Sequence, residues 1–292
     1  MKKLQKNKML TVGLIGLGKI GMGLDIEETL RKDVFKSHLK SFYFNDKFKL
    51  EFVLDNDKSK LKLAKKYYDK IDKSYNSIDQ IESFPEIIVL ACDEKTNLEI
   101  FDKLKNISKV KYFFVEKPFR LTNISDYKNY NSKIIINYIR KFNPFYMDFK
   151  QDISNNEFGE LKSIDIKYSK GIDNTVSHFV DLLYYLFGNK IKFDDVLLLN
   201  KPINIHRETS CSFVIRDFLN LNSYVCFHAI NDLYAIELDF IFDNKRIRII
   251  NYEREVFYYD IENDSNFPEY LNFVQSHKIK LNNVDYMKHV TN

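Results

Sequence analysis

Three glycines near the start of the chain are spaced to suit a ligand that carries phosphate. They stand in the turn Gly16-Leu17-Gly18-Lys19-Ile20-Gly21, directly after the apolar run 12–15. The first glycine permits a tight turn, the second lets a pyrophosphate approach the backbone, and the third lets a strand and a helix pack closely. A helix that begins here presents backbone N–H groups to phosphates. We therefore predict a dinucleotide site contacted by Gly16, Gly18, Lys19, Ile20 and Gly21, with a turn that binds no ligand as the alternative.

A carboxylate follows the second apolar run and supplies a partner for a ribose. Asp55 ends the stretch Phe52-Val53-Leu54-Asp55. In that position it can accept hydrogen bonds from both ribose hydroxyls of an adenine nucleotide and repel a 2′-phosphate. This favours NAD, while the nearby Lys58 leaves NADP open.

The glycine turn and Asp55 lie farther apart than the roughly 20 residues of the usual fingerprint. We interpret residues 25–36 as an insertion, placed before a helix near residues 37–44. Two interpretations of this insertion stay open. It either shapes access of a substrate to the site or is a plain surface excursion.

A lysine ends the fourth apolar run, in Val115-Glu116-Lys117-Pro118. The carboxyl ends of parallel strands border the crevice in which α/β proteins bind ligands. A partly desolvated ammonium group there loses its proton more easily and can polarise a substrate hydroxyl or carbonyl. The position therefore predicts a catalytic role for Lys117.

Short apolar runs alternate with amphipathic stretches over the first 120 residues. The runs at 11–15, 50–54, 87–91 and 112–115 fit strands that are buried on both faces, and helical patterns lie between them. Strands that alternate with helices indicate a doubly wound parallel sheet. We assign residues 1–120 to an NAD(P)-binding domain of the α/β class.

Beyond Pro118 the pattern changes. Helices are predicted at 145–153 and at 178–187, and repeated strand-like runs occupy 194–260. Consecutive strands joined by short turns indicate a mainly antiparallel sheet. Residues 121–292 are therefore predicted to form an α+β domain with a large open sheet, which binds substrate and mediates oligomerisation.

Composition excludes several classes of protein. The 292 residues are 45% hydrophobic, and 45 Lys and Arg are mixed with 41 Asp and Glu, so no nucleic-acid patch is expected. No apolar run approaches the roughly 20 residues that span a bilayer. Three cysteines without CxxC spacing argue against a disulfide framework and a structural metal site, and favour a cytoplasmic protein.

With the glycine turn and Glu116-Lys117-Pro118 in hand, the sequence resembles the glucose–fructose oxidoreductase / inositol dehydrogenase / rhizopine-catabolism (Gfo/Idh/MocA) family along essentially the whole chain. The resemblance implies an N-terminal Rossmann domain and a C-terminal domain whose open sheet packs against another subunit in a homodimer or homotetramer. It implies an NAD(P)-dependent oxidoreductase acting on a sugar, nucleotide sugar or cyclic polyol, in surface-polysaccharide metabolism by analogy. Lys117 takes the family's catalytic or substrate-orienting position, with a cis bond to Pro118.

A second motif of the family is Asp-x-x-x-His with a further Asp three residues on. This chain has Asn174 in the first position, followed by His178 and Asp181. The amide of Asn174 cannot accept a proton, yet His178 can still act as a general base because its unperturbed pKa lies near neutrality. Asn174 and Asp181 are then expected to position His178 or substrate hydroxyls. A capping or packing role for His178 is the alternative.

Two further stretches resemble the family with departures. Arg140 stands in a segment that resembles the family's Arg-containing strand, so it contacts cofactor or substrate, or else forms a structural salt bridge. The family's Thr-Pro-x-x-x-His is replaced here by the stretch from Cys92 to Asn97. We expect Cys92, Asn97, Glu116, Lys117 and Arg140 to complete the cofactor site.

These departures, together with Asn174, favour an alternative function. The chain could be a non-catalytic nucleotide-binding sensor or regulatory protein on the same fold. Retention of Lys117 and His178 favours the enzyme.

Overall fold

The computed structural model describes residues 8–27, 34–121, 130–205, 208–220, 223–230, 233–281 and 286–291. The chain divides into two compact units. The first is Met1–Ile139 together with Val284–Asn292, and the second is Arg140–Asn283. The boundary predicted at residue 120 is therefore too early, and the C-terminal residues belong to the first unit.

The first unit is built on a parallel sheet of six strands. These are β1 (Leu10–Ile15), β2 (Phe48–Leu54), β3 (Lys73–Tyr75), β4 (Ile87–Leu90), β5 (Tyr112–Val115) and β6 (Lys133–Ile136). Their order in the sheet is β3-β2-β1-β4-β5-β6, so the strand order reverses between β1 and β4. The predicted doubly wound sheet is confirmed. The unit extends past residue 120 because β6 pairs with β5.

Helices and side chains cover both faces of this sheet. The helices are α1 (Leu24–Glu27), α2 (His38–Tyr43), α3 (Lys58–Tyr67) and α4 (Glu94–Leu104). Successive side chains of a strand point to opposite faces. Leu14 accordingly lies in one hydrophobic cluster and Ile15 in the other, and both are fully buried. The apolar runs of the sequence therefore bury both faces of each central strand.

The second unit contains a mixed sheet of eight strands and a separate hairpin. Its strands are β7 (Leu161–Tyr168), β8 (Val196–Leu198), β9 (Ile203–Ile205), β10 (Glu208–Ser210), β11 (Phe213–Arg216), β12 (Tyr224–Ala229), β13 (Ile236–Phe242), β14 (Lys245–Ile250), β15 (Glu255–Asn263) and β16 (Leu271–Lys280). The large sheet has the order β16-β15-β14-β13-β7-β12-β11-β8, and β9 pairs with β10. Strands β7 and β12 are parallel, and the other neighbours are antiparallel. The predicted mainly antiparallel sheet is confirmed.

Helices α5 (Pro144–Ser154) and α6 (Ser177–Phe187) supply aromatic and aliphatic side chains to one face of the large sheet. Ile164 and Ile166 of β7 are fully buried in that cluster. Asp165 and Lys167, which alternate with them, point to the opposite face. We call this opposite side the polar face. It carries Asp165 and Lys167 of β7 and their register partners Cys226, His228, Asp239 and Glu237.

The C-terminal residues return to the first unit. Helix α7 (Tyr286–Val290) carries Met287, which is 2% exposed and whose N–H donates to the Phe35 carbonyl at 3.3 Å. The side chain of Asn45 donates to the Thr291 carbonyl at 2.8 Å. Across the described ranges, no helix is both long and apolar enough to cross a membrane.

Candidate functional site

The glycine turn follows β1 at the point where the strand order reverses. Gly16 has φ +97°, and a Cβ there would lie 2.7 Å from the Cys92 sulfur. A Cβ on Gly21 would lie 2.0 Å from the Gly16 carbonyl oxygen. The fold thus requires glycine at both positions. A Cβ on Gly18 would meet nothing within 4 Å, so the backbone at the second glycine faces open space.

A helical turn begins directly after Gly18. It is π-helical over Lys19–Gly23 and continues into α1. Gly18 has no side chain that could cap the turn, and the first N–H groups of a helix have no partner within the helix. Lys19 is exposed and Ile20 is half-buried. The turn has the features that suit an anion, which are free space and amide groups at a helix start.

Asp55 joins the end of β2 to the glycine turn. Its Oδ2 accepts a hydrogen bond from the Leu17 N–H at 2.7 Å, and its Oδ1 accepts one from the Asp57 N–H at 2.9 Å. An ionised carboxylate offers about four acceptor sites, so capacity for ribose hydroxyls remains. The residue is 6% exposed.

Sequence reasoning missed a cation beside Asp55. The Lys60 Nζ lies 3.4 Å from Asp55 Oδ2. Lys60 stands in the first turn of α3, which begins after the N-cap Asp57. The location of that helix start could have identified Lys60 rather than Lys58 as the cation near the ribose position.

The loop after β4 is shaped by Asn97. Its Oδ1 accepts from the Cys92 N–H and its Nδ2 donates to the Cys92 carbonyl, both at 3.1 Å. Asn97 is 1% exposed and its amide supports the loop, while its contact with a cofactor stays a prediction. Burial, and then the charges of Asp55 and Asp93, raise the pKa of the Cys92 thiol to about 11. Cys92 therefore packs over Gly16 as a neutral thiol.

Glu116 lies in a buried hydrogen-bond network. Its Oε1 accepts from His38 Nε2 at 2.7 Å and from Asn137 Nδ2 at 2.6 Å. Burial is the largest influence on this carboxyl, and by itself it raises the pKa. The hydrogen bond and charge of His38, the hydrogen bond of Asn137 and the charge of Lys117 oppose burial, and together they lower the pKa below its ordinary value. These bonds connect Glu116 to α2 and to the residue that follows β6, and its contact with a cofactor stays a prediction.

Lys117 follows this anchored carboxylate at the carboxyl end of β5. It is half-buried, and its bond to Pro118 is cis, as the resemblance implied. The catalytic role of Lys117 stays a prediction. Sequence reasoning missed His38 and Asn137, because neither belongs to a motif that contains Glu116.

Asp25 joins the start of the predicted insertion 25–36 to its end. Its carboxylate accepts from the Ser37 N–H at 2.8 Å and from the Lys36 N–H at 3.2 Å. The buried Lys40 ammonium lies 3.7 Å from Asp25. These contacts hold the start of α2, and hence His38. Residues 28–33 of the insertion lie outside the described residues.

In the second unit, Arg140 forms the structural salt bridge that was one of its two predicted roles. Its Nε and Nη2 donate to the Glu253 carboxylate at 2.8 Å and 2.6 Å, and both side chains are about one-tenth exposed. Tyr146 also donates to Glu253. The guanidinium group lies 4.5 Å from the centre of the Phe179 ring. Arg140 therefore connects the start of α5, the turn after β14 and α6.

The predicted His motif lies along one continuous helical segment. Asn174 is in a π-helical turn (Ile172–Val176), and His178 and Asp181 are in the first two turns of α6. All three are half-buried. The Lys141 ammonium, which the sequence did not single out, donates to Asp181 at 3.1 Å. Burial raises the pKa of Asp181, and the charges of Lys141 and Arg140 oppose the rise. The roles predicted for Asn174, His178 and Asp181 stay predictions.

Substitution of the glycines separates their structural and binding roles. We expect Gly21→Ala to lower the melting temperature, because the new methyl group would overlap the Gly16 carbonyl. We expect the control variant Gly18→Ala to keep the wild-type melting temperature, because its methyl group meets open space. Thermal unfolding followed by circular dichroism measures both. Equal stability of the two variants would contradict this assignment.

The Glu116 network predicts a dependence of stability on pH. A carboxyl whose pKa is lowered on folding stabilises the protein above its unfolded pKa of about 4.3, and this contribution is lost as pH falls through the folded pKa. In Glu116→Gln, the amide oxygen can accept both bonds, but the titrating group is gone. We expect its melting temperature to fall less than that of the wild type between about pH 6 and pH 3. Glu262→Gln, which alters an exposed carboxylate, is the control, and identical pH profiles for all three proteins would contradict the prediction.

No protein-family model matches the chain, and no curated protein matches its sequence. A dehydrogenase from Chromobacterium violaceum is similar in structure, with a TM-score of 0.72 and 12% identity over 97% of this chain and 86% of the other. A super-repressor mutant of Gal80p from Saccharomyces cerevisiae has a TM-score of 0.71 and 16% identity over 96% of this chain and 82% of the other.

A third similar structure contains ligands. The WlbA dehydrogenase from Bordetella pertussis, in complex with NADH and UDP-GlcNAcA, has a TM-score of 0.66 and 14% identity over 93% of this chain and 79% of the other. Dehydrogenases and a regulator thus share one architecture with this chain. The chain has the fold of the Gfo/Idh/MocA-type oxidoreductases that its motifs resemble.

Proposed function

We propose that the chain is an NAD(P)-dependent oxidoreductase that transfers a hydride between nicotinamide and a hydroxyl or carbonyl group of a sugar, nucleotide sugar or cyclic polyol. One observation carries the proposal. The Leu17–Asp55 hydrogen bond joins a glycine turn to the carboxylate of the neighbouring strand at the switch point of the sheet. Ligands of doubly wound folds bind at that point.

The residues present fit a dinucleotide. The open space at Gly18 and the helix start at Lys19 suit a pyrophosphate, and Asp55 suits a ribose. The complex of the similar WlbA dehydrogenase with NADH supports this cofactor class. Nicotinamide supplies the hydride chemistry, and the protein supplies binding, orientation and proton transfer.

The protein's own residues then have distinct roles. Lys117 donates a hydrogen bond to the oxygen of the reacting C–O group and stabilises negative charge that develops there. His178 takes or gives the hydroxyl proton. Asn174 and Asp181 orient His178 or bind substrate hydroxyls. These roles come from the family resemblance, and the Glu116 network supports Lys117 by holding the backbone that precedes it.

A regulatory function is the second candidate. Asn174 replaces the acid of the family motif, and Gal80p, whose super-repressor mutant is among the similar structures, shows that a regulator can have this architecture. Such a protein would bind the dinucleotide without turning over a substrate. Binding and turnover assays therefore separate the two candidates.

The proposal extends to the compartment in which the protein works and to its assembly into an oligomer. All three cysteines are free, in keeping with a reducing cytoplasm. We place the subunit contact of a homodimer or homotetramer on the large sheet of the second unit.

Two substitutions test the cofactor preference. We expect Asp55→Ala to weaken NAD binding more than NADP binding, because the variant loses an acceptor for ribose and a charge that repels a 2′-phosphate. Loss of a charged hydrogen bond of roughly 1.5–3 kcal/mol corresponds to a roughly ten- to hundredfold loss of NAD affinity. We expect Lys60→Ala to weaken NADP more than NAD. Dissociation constants from calorimetry measure both, and a change in the opposite direction for Asp55→Ala would overturn the preference.

Turnover is tested by screening sugars, inositols and nucleotide sugars for a change in NAD(P)H absorbance. On a substrate found this way, we expect Lys117→Ala to lower kcat by roughly 10²–10⁴ while NADH affinity stays near wild type. Lys103→Ala, which alters an exposed lysine of α4, is the control. Full turnover by Lys117→Ala would show that its catalytic role is wrong. Tight NADH binding without turnover of any substrate would favour the regulator.

A further inference from the structure

A thiol, an imidazole and a carboxylate converge on the polar face of the second unit, outside every motif that the proposed function uses. They belong to Cys226, His228 and Asp165. Cys226 and His228 stand two residues apart on β12, and Asp165 is the register partner of Cys226 on the parallel strand β7. All three side chains therefore project from the same face.

The donor atoms are close enough to share one ion. One donor atom from each residue lies within 4.8 Å of the others. The imidazole turns Nδ1 toward the Cys226 sulfur at 3.9 Å and Nε2 toward Asp165 at 3.0 Å. A tetrahedral Zn²⁺ with bonds of about 2.0–2.3 Å holds its ligand atoms roughly 3.3–3.8 Å apart. Only one imidazole nitrogen can bind the ion, so the His228 ring must turn and exchange one of its two present contacts for the ion.

The backbone beneath the cluster is firmly held. Strands β7 and β12 are interior strands of the eight-stranded sheet. On the opposite side of the same strands, Ile164, Ile166, Val225 and Phe227 are fully buried. A site on rigid interior strands keeps its ligands in place before the ion arrives, which favours binding.

The surrounding charges leave the cluster available to a cation. Lys167 pairs with Glu237 at 2.9 Å, and Arg246 pairs with Asp239 at 2.6 Å. Lys167 and Arg246 thus form their ion pairs with other acids, while Asp165, which also interacts electrostatically with Arg246, hydrogen-bonds to His228. In the single chain the Asp165 and His228 side chains are 41% and 39% exposed.

The donor set selects the class of ion. Thiolate and imidazole are ligands for Zn²⁺ and similar transition metals, whereas Mg²⁺ and Ca²⁺ require oxygen ligands. Together with Asp165, a thiolate would balance the two charges of the ion. We propose that Cys226, His228 and Asp165 form a Zn²⁺ site on the polar face, with water as the fourth ligand.

Titration of the full-length, untagged protein with Zn²⁺ tests the proposal, and Co²⁺ serves as a spectroscopic probe. We expect one ion per chain, and we expect the Co²⁺ form to show a thiolate charge-transfer band. Cys226→Ser should abolish that band. Cys226→Ser and His228→Gln should each weaken Zn²⁺ binding by at least the roughly 10–100-fold that loss of a supporting residue costs at metal sites.

Matched control variants distinguish this site from other metal-binding groups. Cys211→Ser changes a buried cysteine of the same unit, and His277→Gln changes an exposed histidine of β16. Both should bind Zn²⁺ as the wild type does, and far-ultraviolet circular dichroism should show that all four variants are folded. Absence of Zn²⁺ binding to the wild type would overturn the proposal. So would binding, or a charge-transfer band, that is unchanged in Cys226→Ser.

Discussion

The hydrogen bond from the Leu17 N–H to the Asp55 carboxylate is the interaction on which the candidate cofactor site depends. It joins the turn after β1 to the residue that ends β2, and its length is 2.7 Å. The turn is also held by the close approach of Gly21 to the Gly16 carbonyl. Together these contacts fix the backbone on both sides of Gly18 and leave the space beside Gly18 open.

Buried charges are satisfied by hydrogen bonds in both units. Glu116 is held by His38 and Asn137, and Arg140 is held by Glu253. Removing one partner of a buried charged pair typically costs about 3–5 kcal/mol, so each network strongly favours one local arrangement. Lys117, which is predicted to do chemistry, directly follows Glu116 in the sequence. His178, also predicted to do chemistry, directly precedes Phe179, whose ring centre lies 4.5 Å from the Arg140 guanidinium group. His38 and Glu253, which hold Glu116 and Arg140, lie outside the motifs that the sequence showed.

Much of the architecture could be predicted because the relevant patterns are local. The runs that became β1, β2, β4 and β5 are mainly apolar because most of their residues are buried, and the charged Lys49 and Glu51 fall in the less buried first half of β2. Strand β16 gave no such pattern because nearly all of its residues are exposed. Strand β3 has three residues, too few to show a period.

Only part of the candidate site could be predicted, because a sequence shows local patterns and not the contacts between residues far apart in the chain. The positions of Gly16, Gly21 and Lys117 follow from sequence spacing, because Gly16 directly follows β1, Gly21 lies in the turn that Gly16 begins, and Lys117 stands two residues after β5. The contacts of His38 with Glu116 and of Arg140 with Glu253 join residues far apart in the chain. Such pairs depend on how the strands and helices pack, which spacing along the sequence does not contain. Lys60 was missed because the start of α3 decides which lysine reaches Asp55.

We propose that the glycine turn and Asp55 hold the ADP-ribose half of a dinucleotide. Calorimetric titration of the untagged protein with NADH and, separately, with ADP-ribose tests it most directly. We expect both ligands to bind at one site per chain, and we expect ADP-ribose to keep most of the affinity because it is the half that these residues are proposed to contact. Absence of any heat of binding at millimolar concentrations of either ligand would contradict the claim.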